Sequence, residues 1–152
     1  MYKPMDENVF WGIIDSFDWK KQGDDAAVLK PAIQKLMSMP LEDIQHFQEI
    51  LAQKLYALDG PAYAVNVYLD GYLSPDYFLY VRCCVVANGK DFYNHVLNNP
   101  SAMPKDIDFE DLLYLAPDVY NDKLKKDEAY VYLDTKLSYE TGSNHELWGD
   151  MI

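Results

Sequence analysis

Arg82 is the only arginine in the chain, and its neighbours at helical spacing are apolar: Phe78 and Leu79 lie one turn before it, Val85 and Val86 one turn after. Residues three and four apart share a helix face, so the guanidinium falls on an apolar stripe. It keeps its proton in any protein environment, and burial therefore demands compensation. Asp59, Asp70, Asp76 and Asp111 are the carboxylates available to pair with it. Two arrangements satisfy that demand. One is a buried ion pair that locks helices together. The other is a pocket formed by Asp70, Asp76, Tyr80 and Arg82, which could grip a small anionic ligand or act as an acid–base pair if burial shifted one pKa. Cys83 and Cys84 follow the arginine, where a neighbouring cation could activate a thiol, but in an apolar helix they read as inert packing.

The second chemically suggestive feature is acidic. The chain carries 25 Asp and Glu against 13 Lys and Arg, a net charge of −12. From Asp106 to Asp150 twelve acids face four lysines, so −8 of that charge lies in the last third. Asp106, Asp108, Glu110, Asp111, Asp118 and Asp122 form a candidate face for a basic protein partner, whose approach such a field would accelerate. The same field repels phosphate backbones and argues against nucleic acid. The alternation at Asp106, Asp108, Glu110 and Asp111 resembles part of a calcium loop, yet it lacks the central glycine and terminal glutamate; capping of a helix by Asp108 accounts for it.

Most catalytic and cofactor signatures are missing. There is no glycine-rich phosphate loop, no GxSxG and no HExxH, and His46, His95 and His145 are far apart. The adjacent cysteines fit neither a disulfide framework nor a zinc site. No cofactor and no metal is implied. No apolar run approaches the ~18 residues that cross a bilayer, and the acidic N-terminus does not read as a secretory signal. A cytoplasmic protein with no membrane association is the expectation.

These residues need helices to position them. Val9, Phe10, Ile13, Ile14 and Phe17 share a face, as do Val28, Leu29, Ile33, Leu36 and Met37 after a cap at Asp24 or Asp25, with Pro31 either kinking that helix or starting it. A longer helix follows Pro40 and presents Ile44, Phe47, Leu51, Leu55 and Leu58 before Gly60-Pro61. Ser74-Pro75-Asp76 combines an N-cap hydroxyl, a proline at the first helical position and an acid in the first turn, so a helix runs from there to Asn88, ended by Gly89. Lys90 to Leu97 forms the next one. A short helix begins at Asp108 and runs through Leu115, and Pro117 restarts the chain. Tyr130 to Leu133 is strand-like by composition, and Glu140 to Asn144 reads as a turn. Tyr56, Tyr63, Tyr68, Tyr72, Tyr77 and Tyr80 crowd the middle third, where they suit core contacts or an interface.

The run Phe10-Trp11, Phe47, Ala62-Tyr63, Gly71, Ser74, Asp76, Phe78, Tyr80, Arg82 and Gly89 resembles the bacterial domain-of-unknown-function family 4240. Asn98-Asn99-Pro100-Ser101 and the segment from Leu113-Tyr114 to Tyr120 are similar to it too. The likeness covers roughly Met5 to Asp122, and departs at Pro75, Val81, Cys83 and Cys84, where the family carries Asp, Phe, Gly and Trp. It implies a small helical cytoplasmic domain and makes Asp76 and Arg82 the pair to watch, but supplies no activity.

The expected architecture is all-α, a compact bundle of about six to eight short helices, with a small strand pair or an extra helix in the tail. Residues 1–126 form the helical domain and 127–152 a C-terminal extension. The expected function is a non-enzymatic protein-interaction domain, in its narrower form an immunity or antitoxin-like protein that plugs the basic cleft of a toxin; the alternative is the anion pocket at Asp76 and Arg82.

Overall fold

The structure, a computed structural model, describes residues 5–124 and 129–149. The boundary drawn at 126/127 and the acids Asp127, Glu128 and Asp150 lie outside that range. Among the described residues there are eight α-helices and three short 3-10 turns, and no strand. The molecule is all-α.

Local capping decides where most helices begin. Helix α1 (Glu7–Asp15) starts where the Asp6 side chain accepts from the Asn8 amide at 2.6 Å, and α2 (Asp25–Met37) where Asp24 accepts from the Ala27 amide at 3.2 Å. Helix α3 (Leu41–Ala57) carries Glu42 and Asp43 in its first turn, and its five stripe residues are fully buried. Helix α4 (Pro61–Ala64) leads into Asp70-Gly71, where φ is positive at both residues (51° and 78°). Leu69 and Tyr72 exchange both backbone hydrogen bonds at 2.9 Å across that corner, the geometry that favours Asp-Gly in a two-residue turn.

Helix α5 (Pro75–Ala87) opens with Ser74 accepting from the Tyr77 amide and ends before Gly89, whose φ of 101° suits glycine. Its buried residues run from Phe78 to Ala87 with only Tyr80 half-exposed, so it is the helix enclosed on nearly every side. Helices α6 (Lys90–Asn98), α7 (Leu112–Leu124) and α8 (His145–Trp148) complete the set. α3 lies against α1, α5 and α7, and α2 against α1 and α7.

Four expectations are corrected. On α1, Val9 is exposed and Trp11 is buried in its place, stacked toward Tyr93. On α2, Pro31 lies inside the helix and does not start it, and Met37 at its end is exposed. α7 begins at Leu112, so Asp108 caps nothing, and the helix runs straight through Pro117. Burial of Leu112, Leu113, Leu115, Ala116 and Val119 against α2 and α3 outweighs the one backbone bond a proline forfeits. Tyr130 to Leu133 is extended but pairs with no strand; the Asn121 side chain on α7 takes the partner's role, accepting from the Val131 amide and donating to the Val131 carbonyl, both at 2.8 Å.

Candidate functional site

Arg82 is wholly buried, and among the described residues no carboxylate accepts a hydrogen bond from it. Nη1 donates to the backbone carbonyls of Leu55 and Tyr139, and Nη2 to Thr141 Oγ1, each at 3.0 Å. Its Cζ stands 4.6 Å from the centre of the Phe78 ring. Leu55 belongs to the last turn of α3, whose carbonyls have no partner four residues on and form the negative end of the helix dipole. Its hydrogen bonds are thus taken by a helix terminus and by the strap, and the Asp59 carboxylate acts on the charge without accepting one of them. Burial pulls the Arg82 pKa down to about 10, and the nearby Asp59 carboxylate pushes it back up, so the guanidinium stays charged at neutral pH.

The same helix end binds two further donors: Tyr93 Oη to the Lys54 carbonyl and Asn144 Nδ2 to that of Tyr56, both at 2.8 Å. Asp59, fully buried, then accepts from the amides of Gly142 and Asn144 and from Trp148 Nε1 at 2.8–3.1 Å. Residues 129–149 therefore form a strap across the bundle. Asn121 and Asp118 on α7 hold its start, Gln45 and Glu49 on α3 hold its middle through the Asp134 carbonyl and the Lys136 amide, and Arg82 and Asp59 hold its end. The Thr141 hydroxyl also donates to the Pro75 carbonyl at 2.7 Å, tying the strap to the start of α5.

Between strap and bundle runs a groove of about 460 Å³. Its floor comes from Gln48 on α3, Asp76, Leu79 and Tyr80 on α5, and Leu113, Tyr114 and Pro117 on α7. Its roof is the strap, with Tyr130, Tyr132, Leu133, Asp134, Tyr139 and Glu140. Five tyrosines and three carboxylates line it, and among the described residues no basic side chain does. Two of the phenols are tied down, Tyr114 donating to Glu110 and Tyr130 to Asp118, each at 2.7 Å, and their acceptors raise both pKa values along with burial. At Tyr80, burial and then Glu110, Asp76 and Glu140 push the same way.

Of the four residues named for an anion pocket, Asp76 and Tyr80 meet in this groove. Asp70 sits on its own exposed turn, and Arg82 is sealed beneath Tyr139 and Thr141, outside the groove. The proposed acidic face divides as well. Asp106 and Asp108 lie beside Tyr77, whose pKa rises through burial first and their charges second. Asp111, Asp118 and Asp122 edge a cleft of about 290 Å³ between α2 and α7, floored by Ala26, Leu29, Ile33, Leu115 and Val119. Among the described residues no group of three His, Cys, Asp or Glu is placed to hold a metal ion.

In that cleft burial, and then a hydrogen bond with Asp25, push the Asp111 carboxyl up to about 6 from 3.8. The folded state therefore holds this proton more tightly than the unfolded chain. The stabilisation is fully present below about pH 4 and is lost as pH rises through 6. Replacing Asp111 by Asn should flatten the melting temperature between those limits, whereas the wild type should fall across them; parallel slopes in thermal scans would contradict the shared proton.

The cysteines match the inert reading in their geometry. Both are free and buried, and burial raises both thiol pKa values, that of Cys84 to about 11. Neither should react with a thiol reagent at pH 8 until the protein unfolds, as mass measurement after a short exposure would show.

Over residues 5–122 the chain matches the family described as Protein of unknown function (DUF4240). The chain belongs to that family. No curated protein and no solved structure matches it. The matched span holds α1 to α7 up to Asp122 and so supplies the floor of the groove in this DUF4240 member, while the strap that roofs it lies beyond. Among the described residues no helix is long and apolar enough to cross a membrane.

Sequence reasoning missed Gln48, Tyr114, Tyr130, Tyr132 and Tyr139. One signal could have found Gln48: it interrupts the apolar face between Ile44, Phe47 and Leu51, and it is 1% exposed. Tyr130 and Tyr132 alternate along an extended segment, which places both rings on one side, 5.2 Å apart.

Proposed function

We propose that this DUF4240 member is a non-enzymatic protein-interaction domain that binds a basic protein partner through the groove between its strap and its helices. The observation that carries the reading is the lining itself, rich in tyrosine and carboxylate with no counter-charge among the described residues. Tyrosine is favoured at the centre of protein interfaces because it offers a large rigid body and a polar tip. The surrounding acids Glu110, Asp118 and Asp122 extend the negative field and would speed encounter with a positive surface. A narrower form of the same reading is an immunity or antitoxin-like protein that occupies the basic cleft of a toxin in the cytoplasm.

The test is to co-purify the full chain with each basic protein encoded beside its gene. A 1:1 complex that falls apart as salt rises, and that weakens when Asp134 and Asp76 are changed together to Asn, is the expected result. If no basic neighbour binds at low salt, the reading is overturned.

A further inference from the structure

Gln48, in the floor of the groove, carries a buried polar atom with no hydrogen-bond partner among the described residues: Oε1, on a side chain 1% exposed. Burial raises the Tyr139 pKa and the Gln48 amide beside the phenol pulls it back down, while the amide oxygen faces no donor among the described residues. A buried acceptor of this kind costs roughly 1–3 kcal/mol unless something donates to it. The carboxylates of Asp76, Asp134 and Glu140 line the same groove, and among the described residues the one ion pair, Lys54 with Glu7, lies elsewhere.

Resting on the interaction reading above, we infer that the groove receives the guanidinium of an arginine side chain presented by the partner protein. A tyrosine face, a neutral buried acceptor and carboxylates together ask for a ligand that is flat, positively charged and rich in N–H donors. A guanidinium is all three: it stacks on aromatic rings and carries five donors in a plane, enough to serve Gln48 Oε1 and a carboxylate at once. An ammonium is compact and more strongly hydrated, and a quaternary amine has no N–H for Gln48. The tyrosines are suited to the task because Tyr114 and Tyr130 have their hydroxyls fixed on Glu110 and Asp118, which leaves their rings as preset surfaces.

The experiment uses the full chain and three blocked tripeptides, Gly-Arg-Gly, Gly-Lys-Gly and the citrulline analogue of the first, which keeps its shape and loses its charge. Binding is read by amide and aromatic NMR shifts. The arginine peptide should bind at least about tenfold more tightly than the citrulline peptide, and more tightly than the lysine one. Gln48→Leu should weaken the arginine peptide several-fold; because Gln48 is buried, the exposed Asp134→Asn provides a second variant that leaves the fold intact, and it should also weaken binding. Equal affinity for arginine and citrulline, or wild-type affinity in both variants, overturns the proposal. Capture of a basic neighbour that ignores both variants but weakens when Asp76 and Asp134 are changed together to Asn would overturn this site and leave the interaction reading standing. Arginine-peptide binding with no basic protein partner would do the reverse.

Discussion

Replacing Arg82 by Met should unfold the strap and lower the stability of the whole bundle by about 3–5 kcal/mol, the usual cost of breaking a buried charged network on one side. Methionine fills most of the volume, so the loss would come from polarity rather than from a cavity. It leaves the Tyr139 carbonyl without its guanidinium donor, takes one donor each from the Leu55 carbonyl and from Thr141 Oγ1, removes the cation from the dipole end of α3 and leaves Asp59 buried without the Arg82 charge. For a chain of this size each kcal/mol moves the melting temperature by roughly 2–4 °C, so a fall of about 6–20 °C is expected by circular dichroism. Hydrogen exchange should show the amides of residues 139–144 opening first. Arg82→Lys should recover little, because one ammonium cannot reach acceptors from α3 and the strap with the geometry of a fork. A variant that melts like the wild type with its strap protected would show that the guanidinium does not hold the two together.

What the sequence could and could not reveal about this residue follows from where its partners come from. That Arg82 is buried is legible in Phe78, Leu79, Val85 and Val86, since helical neighbours are fixed by spacing alone. Its partners are not, because two of the three are backbone carbonyls and the third is a hydroxyl 59 residues away. A backbone acceptor has no residue type to recognise, and the expectation of an aspartate misses the compensation a helix terminus can supply. Asp59, one of the acids within the sequence that could pair with Arg82, gives its own hydrogen-bonding capacity to the strap.

The same contrast runs through the helices. The limits of α5 are written in Ser74, Pro75 and Gly89, whose effects are confined to one turn of backbone. Pro117 reads as a break for equally local reasons, yet the leucines around it are buried from two sides and the helix continues. In the groove, Tyr130 and Tyr132 show a true alternation, but alternation gives the conformation of a segment and not what it lies against. Here it lies against α7, and that juxtaposition creates a site from Tyr80 and Tyr114 that no local pattern marks.

Asp59→Asn is the sharpest probe of how the strap's end is anchored, because it changes a charge and almost no volume. Oδ1 now accepts from Trp148 Nε1 and the Gly142 amide, and Oδ2 from the amides of Gly142 and Asn144. In the asparagine one of these positions becomes an NH2 group that must face an N–H donor, so a repulsive contact replaces an attractive one whichever way the amide turns. The remaining bonds lose their charge assistance, and Arg82 loses the carboxylate that helps keep its guanidinium charged. A loss of about 2–4 kcal/mol is expected from these combined costs. Its signature should be local before it is global: Trp148 is buried at 5% exposure, so its emission should shift to the red at temperatures where the helical circular dichroism is still intact. Trp11 and Trp19 also emit, so Trp148→Phe supplies the control, and the shift should vanish in the double variant. Coincident fluorescence and dichroism transitions would instead mean that the strap and the helices unfold as one cooperative unit. In that case the terminus of α3 is not a separable latch, and Arg82 and Asp59 stabilise the fold as a whole.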